Sequence, residues 1–280
     1  MKPLKNIHLQ ESIHLSRINV SAKTLRTSSL RSLKEVGPDA NSENSVDVRA
    51  AAAMCQFAYF YLNRGKKTYA DLIDGWKPMT PFEVEKIVPG VSTKLKNDFI
   101  GFSSMLFHKQ ADGIQYYAYC TEGTDIFSIK DWYSNIHQWF NGDAPQYSYS
   151  IFLAKLIDYA IGDKAVLWFI GHSLGGGLAS NNALVTGRHA ITFNAAGLHS
   201  NRIKATFQWD SGGDYIQFIK RTRQIHAFVV DGEILNKFLR LFRQQAYGDT
   251  HIIKLKNNNI SSFNRHSMMT ILDNWGMKHE

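Results

Sequence analysis

Cysteine is scarce in this 280-residue chain: Cys55 and Cys120 are the only two, both in apolar surroundings. That argues against a disulfide framework and leaves no cysteine-based metal site. Long apolar runs are missing as well, with no stretch of about 18 residues that reads as a membrane-spanning helix. Met1 to Val20 alternates polar and apolar residues and lacks the apolar core and cleavage site of a signal peptide. The expectation is a chain made in soluble form and, if exported, exported without a cleaved N-terminal signal. Eleven histidines are present, yet no H-E-x-x-H or other clustered ligand spacing occurs. No metal and no cofactor are therefore expected. Internal repeats and low-complexity tracts are also lacking.

What the chain does have is an apolar content of 44% and a net charge of +8. These suit one globular domain with a basic surface that favours anionic partners, either nucleic acid or membrane phosphates. Twelve Lys/Arg against seven Asp/Glu lie in residues 201–280, so most of the excess falls near the C-terminal end. Residues 1–46 carry ten Ser/Thr, few aromatics and an excess of basic residues, and end in the Gly37-Pro38 and Asn41 to Ser45 break. They read as a mobile basic N-terminal extension before a folded domain over 47–280.

Within that domain, VRAAAAMCQFAYFYL over Val48–Leu62 fits a buried helix stopped at Asn63-Arg64-Gly65. Phe99–Phe107 and Ile114–Cys120 read as a hairpin across the polar turn Lys109–Gly113. Asp125–Phe140 carries aromatics at near-helical spacing and reads as an amphipathic helix, either a core helix or a lid. A helix over Ile151–Ala160, a doubly buried strand over Ala165–Ile170, a helix to about Leu184 and a strand over Ala190–Phe193 follow. Further strands are expected at Ala227–Val230 and His251–Leu255, and helices at Ile234–Leu241 and Ser267–Trp275. This alternation predicts an α/β fold with a mostly parallel central sheet flanked by helices.

The chemistry centres on Gly171-His172-Ser173-Leu174-Gly175, a G-x-S-x-G pattern between an apolar strand and a helix. The pattern alone is weak, but its context puts Ser173 at a helix N-terminus, where free N–H groups favour a developing oxyanion. A phosphate-binding loop is disfavoured because no G-K-[S/T] follows. A serine nucleophile needs a histidine base and a carboxylate to orient it, in the order serine, acid, histidine. Of the downstream acids, Asp231 is best placed, closing the strand AFVVD before Gly232. Of the later histidines, His266 in the loop NRHS is favoured over His251, which falls within a strand. The basic cluster Lys220–Arg223 reads as surface.

Four stretches make the chain resemble the class 3 lipase family of α/β-hydrolases, in particular its bacterial phospholipase A1-like members. They are FAYFYL followed by Gly75-Trp76; Gly101-Phe102 leading to TEGT and Asp131-Trp132; GHSLGG over Gly171–Gly176; and ITFNAAG over Ile191–Gly197. The resemblance implies Ser173 as nucleophile, Thr124 and the Leu174 N–H as oxyanion hole, and Asp231 with His266 as the rest of the triad. It departs from the family at Cys120-Thr121-Glu122, where an aromatic-Arg pair is usual. The implied function is serine-dependent hydrolysis of lipid carboxylic esters, a phospholipase A with A1 favoured, acting at a phospholipid membrane surface and needing no nucleic acid. Export as a toxin or effector, with a chaperone or immunity protein as partner, belongs to the same expectation. The competing readings are a soluble esterase acting on neutral lipids, and a non-catalytic basic protein that binds lipid or nucleic acid.

Overall fold

The computed structural model describes residues 35–36, 46–64, 75–123, 145–198, 200–210, 212–235 and 246–274. The first strands, β1 (Glu35–Val36) and β2 (Val46–Asp47), pair antiparallel and lead into helix α1 (Val48–Arg64). Asp47 starts that helix: its Oδ1 accepts from the N–H groups of Arg49 and Ala50 at 2.7 and 3.0 Å, an acceptor for two donors that have no carbonyl in the first turn. The run Ala50–Ala53 is wholly buried, so small side chains bring α1 close against the sheet.

After β3 (Lys77–Pro78), α2 (Pro81–Ile87) and β4 (Lys96–Asn97) comes the hairpin of β5 (Phe102–Ala111) and β6 (Ile114–Thr121). Its turn is tighter than the expected five residues. Asp112 and Gly113 alone make it, at φ 50° and 79°, the left-handed pair whose twist suits a two-residue hairpin. Helix α3 (Pro145–Ile161) follows, then β7 (Val166–His172), α4 (Leu174–Thr186), β8 (His189–Phe193), α5 (Ser200–Ala205), α6 (Tyr215–Arg223), β9 (Ile225–Val230), β10 (Asp249–Ile253) and α7 (Met268–Asn274).

One sheet runs in the order β10-β9-β8-β7-β6-β5-β3, with β4 also on β5. It is mixed. Strands β6 to β10 are mutually parallel, while β5 lies antiparallel to β6, β3 and β4. The mostly parallel sheet expected from the sequence thus has an antiparallel flank, because the two-residue turn after β5 forces its strands to run in opposite directions. Trp168, Phe169 and Ile170 of β7 are buried on alternate faces, which explains an apolar run without polar alternation.

Two apolar layers hold the sheet. On one face, Met54 and Phe57 of α1 and Ile271 and Leu272 of α7 pack over Phe107, Trp168, Phe193 and Phe228. On the other, Leu153 and Ile157 of α3, Leu178 of α4 and Phe218 of α6 cover Tyr119 and Phe169. Each fully buried aromatic or aliphatic side chain stabilises the fold by roughly 1.5–3 kcal/mol. Arg221, from the basic cluster expected to be plain surface, has an internal role: its Nη1 donates to the carbonyls of Leu184 and Val185 at the end of α4. Cys55 and Cys120 are free buried thiols with sulfurs 4.0 Å apart. Among the described residues no helix is long and apolar enough to cross a membrane. The expected helix at Asp125–Phe140 and most of that at Ile234–Leu241 lie outside the described residues, as does most of the 1–46 extension.

Candidate active site

The parallel strands share one direction, so their carboxyl ends and the turns beyond them lie along one edge of the sheet. Ser173 stands there between β7 and α4, at φ 58° and ψ −125°, a conformation that costs a non-glycine residue about 1–3 kcal/mol. Neighbouring backbone holds it. The Ser173 N–H donates to the Phe193 carbonyl at 3.0 Å, and the Ser173 carbonyl accepts from the N–H groups of Ala196 (2.8 Å) and Gly177 (3.2 Å). The flanking glycines are required by close approach: a Cβ on Gly171 would overlap the Gly175 carbonyl, and one on Gly175 would overlap the Thr121 carbonyl. Helix α4 begins at Leu174, so the N–H groups of its first turn and the positive end of its dipole lie beside the serine.

The chain leaving β6 closes against the same turn. Thr121 Oγ1 donates to the Gly175 carbonyl at 2.7 Å. A Cβ on Gly123 would come within 2.7 Å of the His172 carbonyl oxygen and 3.2 Å of Ser173 Cβ, so only bare backbone fits. Thr124, the expected oxyanion residue, is the next residue but lies outside the described residues.

At the far side, β9 ends at Val230, and Asp231-Gly232 forms a turn with Gly232 at φ 74°. Here the structure differs from expectation. Asp231 is exposed, and its backbone does the bonding: its N–H donates to the Ile253 carbonyl, and its carbonyl accepts from Arg265 Nη1. The carboxylate brought to His266 is that of Glu233, two residues on, whose Oε1 lies 2.5 Å from His266 Nδ1 and also accepts from the Leu235 N–H. Both side chains are sealed from solvent, with Glu233 at 0% and His266 at 1% exposure. The physical reason is the Asp-Gly pair, which turns the chain and carries the next acid inward. An Asp-Gly followed by Glu and an apolar run was the signal available for it.

His266 ends a short 3₁₀ turn over Asn264–His266, and three contacts fix it. Its carbonyl accepts from His172 Nε2 at 2.7 Å and from Asn194 Nδ2 at 3.3 Å, and its ring lies against that of His172 with centroids 4.7 Å apart. Asn194, at φ 42° just beyond β8, also accepts the Val230 N–H on its Oδ1. It thereby joins the ends of β8 and β9 to the histidine turn. Arg265 spans the loop by donating to the carbonyls of Ile260, Asn258 and Asp231. His172 and Asn194 went unassigned in the sequence because nothing in their spacing marks them.

Burial drives the His172 pKa down to about 3, with His266 pushing the same way and the bond to the His266 carbonyl pulling back. His172 is accordingly a neutral donor through Nε2–H. On His266, a proton on Nδ1 shared with Glu233 leaves the Nε2 lone pair as the basic position. A hydroxyl on a strained turn, an imidazole anchored by an acid and a helix N-terminus are the parts that base-assisted nucleophilic attack requires. His251 is not among them: it lies in the middle of β10, in the register row His172–Phe193–Phe228–His251 but three strands across the sheet from β7, stacked on Phe228 at 4.7 Å.

Two comparisons bear on this arrangement. An extracellular phospholipase A1 from Serratia liquefaciens is 38% identical over 104 residues, a match covering 35% of this chain and 32% of that protein. The chain thus spans about a third of that relative's length. A family model described as a Tle-like phospholipase domain, of the phospholipase-like group, matches residues 52–273. With nearly the whole folded region covered, and with the serine turn and the Glu233–His266 pair inside it, the chain belongs to the Tle-like phospholipase domain family.

Proposed function

We propose that this protein is a serine-dependent phospholipase A of the α/β-hydrolase type that releases the sn-1 fatty acid from membrane phospholipids. The observation that carries the reading is that a strained Ser173 and a His266 bonded to Glu233 lie at the same edge of the sheet, with the His266 ring against that of His172, the residue before the serine. In this reading Ser173 Oγ attacks the ester carbonyl while His266 Nε2 takes its proton. Glu233 holds the Nδ1 proton and stabilises the imidazolium. The Leu174 N–H at the start of α4, with Thr124 from the segment after Gly123, receives the oxyanion. His266 then protonates the departing lysolipid oxygen. Water, deprotonated by the same histidine, cleaves the acyl-enzyme to fatty acid and free Ser173.

Phospholipid is preferred as substrate because of the family and because a net charge of +8 draws the chain to anionic bilayers. The partial Serratia relative, described as extracellular, supports a role outside the producing cell. Mass spectrometry of products from phospholipids with two different acyl chains tests the reading. Wild type should release the sn-1 acid from vesicles, and folded Ser173→Ala should release none. Undiminished release by Ser173→Ala would overturn the mechanism. Release of the sn-2 acid alone would overturn the positional assignment, and equal turnover of a soluble short-chain ester would favour a general esterase.

A further inference from the structure

The outer pair of parallel strands, β9 and β10, holds a second cluster that the serine chemistry does not use. His226 is the second residue of β9, and Asp249 and His251 are the first and third of β10. The parallel register sets Asp249 beside His226 and His251 beside Phe228. Because side chains alternate along a strand, all three rise from the face that carries Phe228 and Ile253, the face covered by α1 and α7. One ligand atom from each of the three lies within 4.8 Å of the other two.

The hydrogen bonding there is incomplete. Nδ1 of His226 and Nε2 of His251 are buried and find no hydrogen-bond partner among the described residues. Asp249 Oδ2 stands 3.8 Å from His251 Nε2, too far for a hydrogen bond. Two buried ring nitrogens and a nearby carboxylate without a shared proton are unfavourable as they stand. A cation between them would satisfy all three.

We propose that His226, Asp249 and His251 form a binding site for one divalent transition-metal cation of the zinc class. Two imidazole nitrogens and one carboxylate oxygen suit zinc, whereas calcium and magnesium prefer sets made wholly of oxygen. A tetrahedral ion with bonds near 2.0–2.1 Å sets its donors roughly 3.4 Å apart, which side-chain rotation reaches from the present spacing. Three protein ligands leave the fourth position to water, and the partial exposure of His251 and Asp249, 23% and 34%, gives ion and water a way in. The histidines are already in the ligating form. Burial lowers the His226 pKa to about 3, with further lowering from His251 and His189, and burial lowers that of His251 against the opposing pull of Asp249. The role is structural: the ion ties β10 to β9, the strands three and two places across the sheet from β7 and its Ser173 turn. Those two strands lead onward to Glu233 and to the His266 turn.

Zinc titration of the full, untagged, metal-stripped chain carrying Ser173→Ala, against a chromophoric chelator, tests the site without reference to turnover. One zinc per chain is expected, with a rise in Tm on saturation and the visible absorption of tetrahedral cobalt when cobalt(II) replaces zinc. His226→Ala and His251→Ala should each weaken binding by at least the roughly 10–100-fold that loss of an outer partner costs a metal site. Should the histidine variants fail to fold, Asp249→Asn, a partly exposed position on an edge strand, should show the same weakening with the fold kept. His108→Asn, on β5 across the sheet, should bind as before. No stoichiometric zinc on the wild-type background, or unchanged affinity in Asp249→Asn and in the folded histidine variants, would overturn the site.

Discussion

Two places on the parallel part of the sheet hold a histidine near a carboxylate, and the two pairs are built differently. At the carboxyl end, His266 and Glu233 are in contact at 2.5 Å and fully buried. Within β10, His251 and Asp249 stand 3.8 Å apart and keep part of their surface in water. The first pair sits on turns beyond the strands, where backbone can be bent until two side chains meet. The second sits on one strand at positions i and i+2, whose spacing the ladder fixes at nearly 7 Å. A contact suited to moving protons therefore comes from turn-borne residues, while a strand-borne pair leaves a gap that suits a cation better.

The widest separation between the two pairs should appear in turnover. Ser173→Ala and His266→Ala should each lower kcat for fatty-acid release by about a millionfold, with the double variant no worse, since residues acting as one unit are strongly non-additive. His251→Ala should fall far short of that loss. Equal losses at His266 and His251, measured by product mass spectrometry on folded protein, would erase the distinction.

Within the carboxyl end, Glu233→Gln should cost about ten-thousandfold in kcat, because an amide no longer holds the imidazole proton on Nδ1. Asp231→Asn, an exposed change, should stay within about twofold. A reversal of these two results would return the acid to Asp231. Next in size is Asn194→Ala, which frees the His266 carbonyl from one donor and leaves the Val230 N–H without its acceptor. About a hundredfold in kcat with KM little changed is expected from a misplaced base, along with a loss of roughly 1–3 kcal/mol in chemical denaturation.

The parts of this molecule legible in the sequence are those whose signal is local. The run AVLWFIGHSLGGG encodes strand, turn and helix within a dozen residues, and the glycines that bring Gly171 against Gly175 are visible as glycines. His266 was also within reach, as a polar histidine in a loop before the last helix. Glu233 was not, because which of two acids around an Asp-Gly faces inward depends on where β9 stops and on the partner 33 residues away. Asn194 and His172 act through the carbonyl of a residue at least 72 positions distant, and no spacing rule records that. The antiparallel flank was half visible: the hairpin was expected, but its membership of the central sheet comes from the β6–β7 pairing. The β9–β10 cluster hid for a similar reason, since His226 and His251 become neighbours only through the strand register.

The smallest expected effect concerns His172 and is read in stability. Its ring donates through Nε2 to the His266 carbonyl, and its pKa stands at about 3 against an ordinary 6.5. As the pH falls through 6.5, the unfolded chain takes up a proton that the folded chain refuses. The stability associated with neutral His172 is thus fully present above pH 6.5 and is lost as the pH drops towards 3. At pH 5 the loss amounts to at most about 2 kcal/mol, at 1.36 kcal/mol for each unit of separation, and less because the side chain keeps some contact with water. In His172→Gln the side-chain amide would still donate to the carbonyl but would not titrate. Tm measured from pH 7.5 down to pH 5 should therefore fall more gently in His172→Gln than in wild type. The slope that remains would include the depressed histidines of β8, β9 and β10. Parallel slopes in the two proteins would show that the charge of His172 is tolerated in the fold and that its bond to His266 survives protonation.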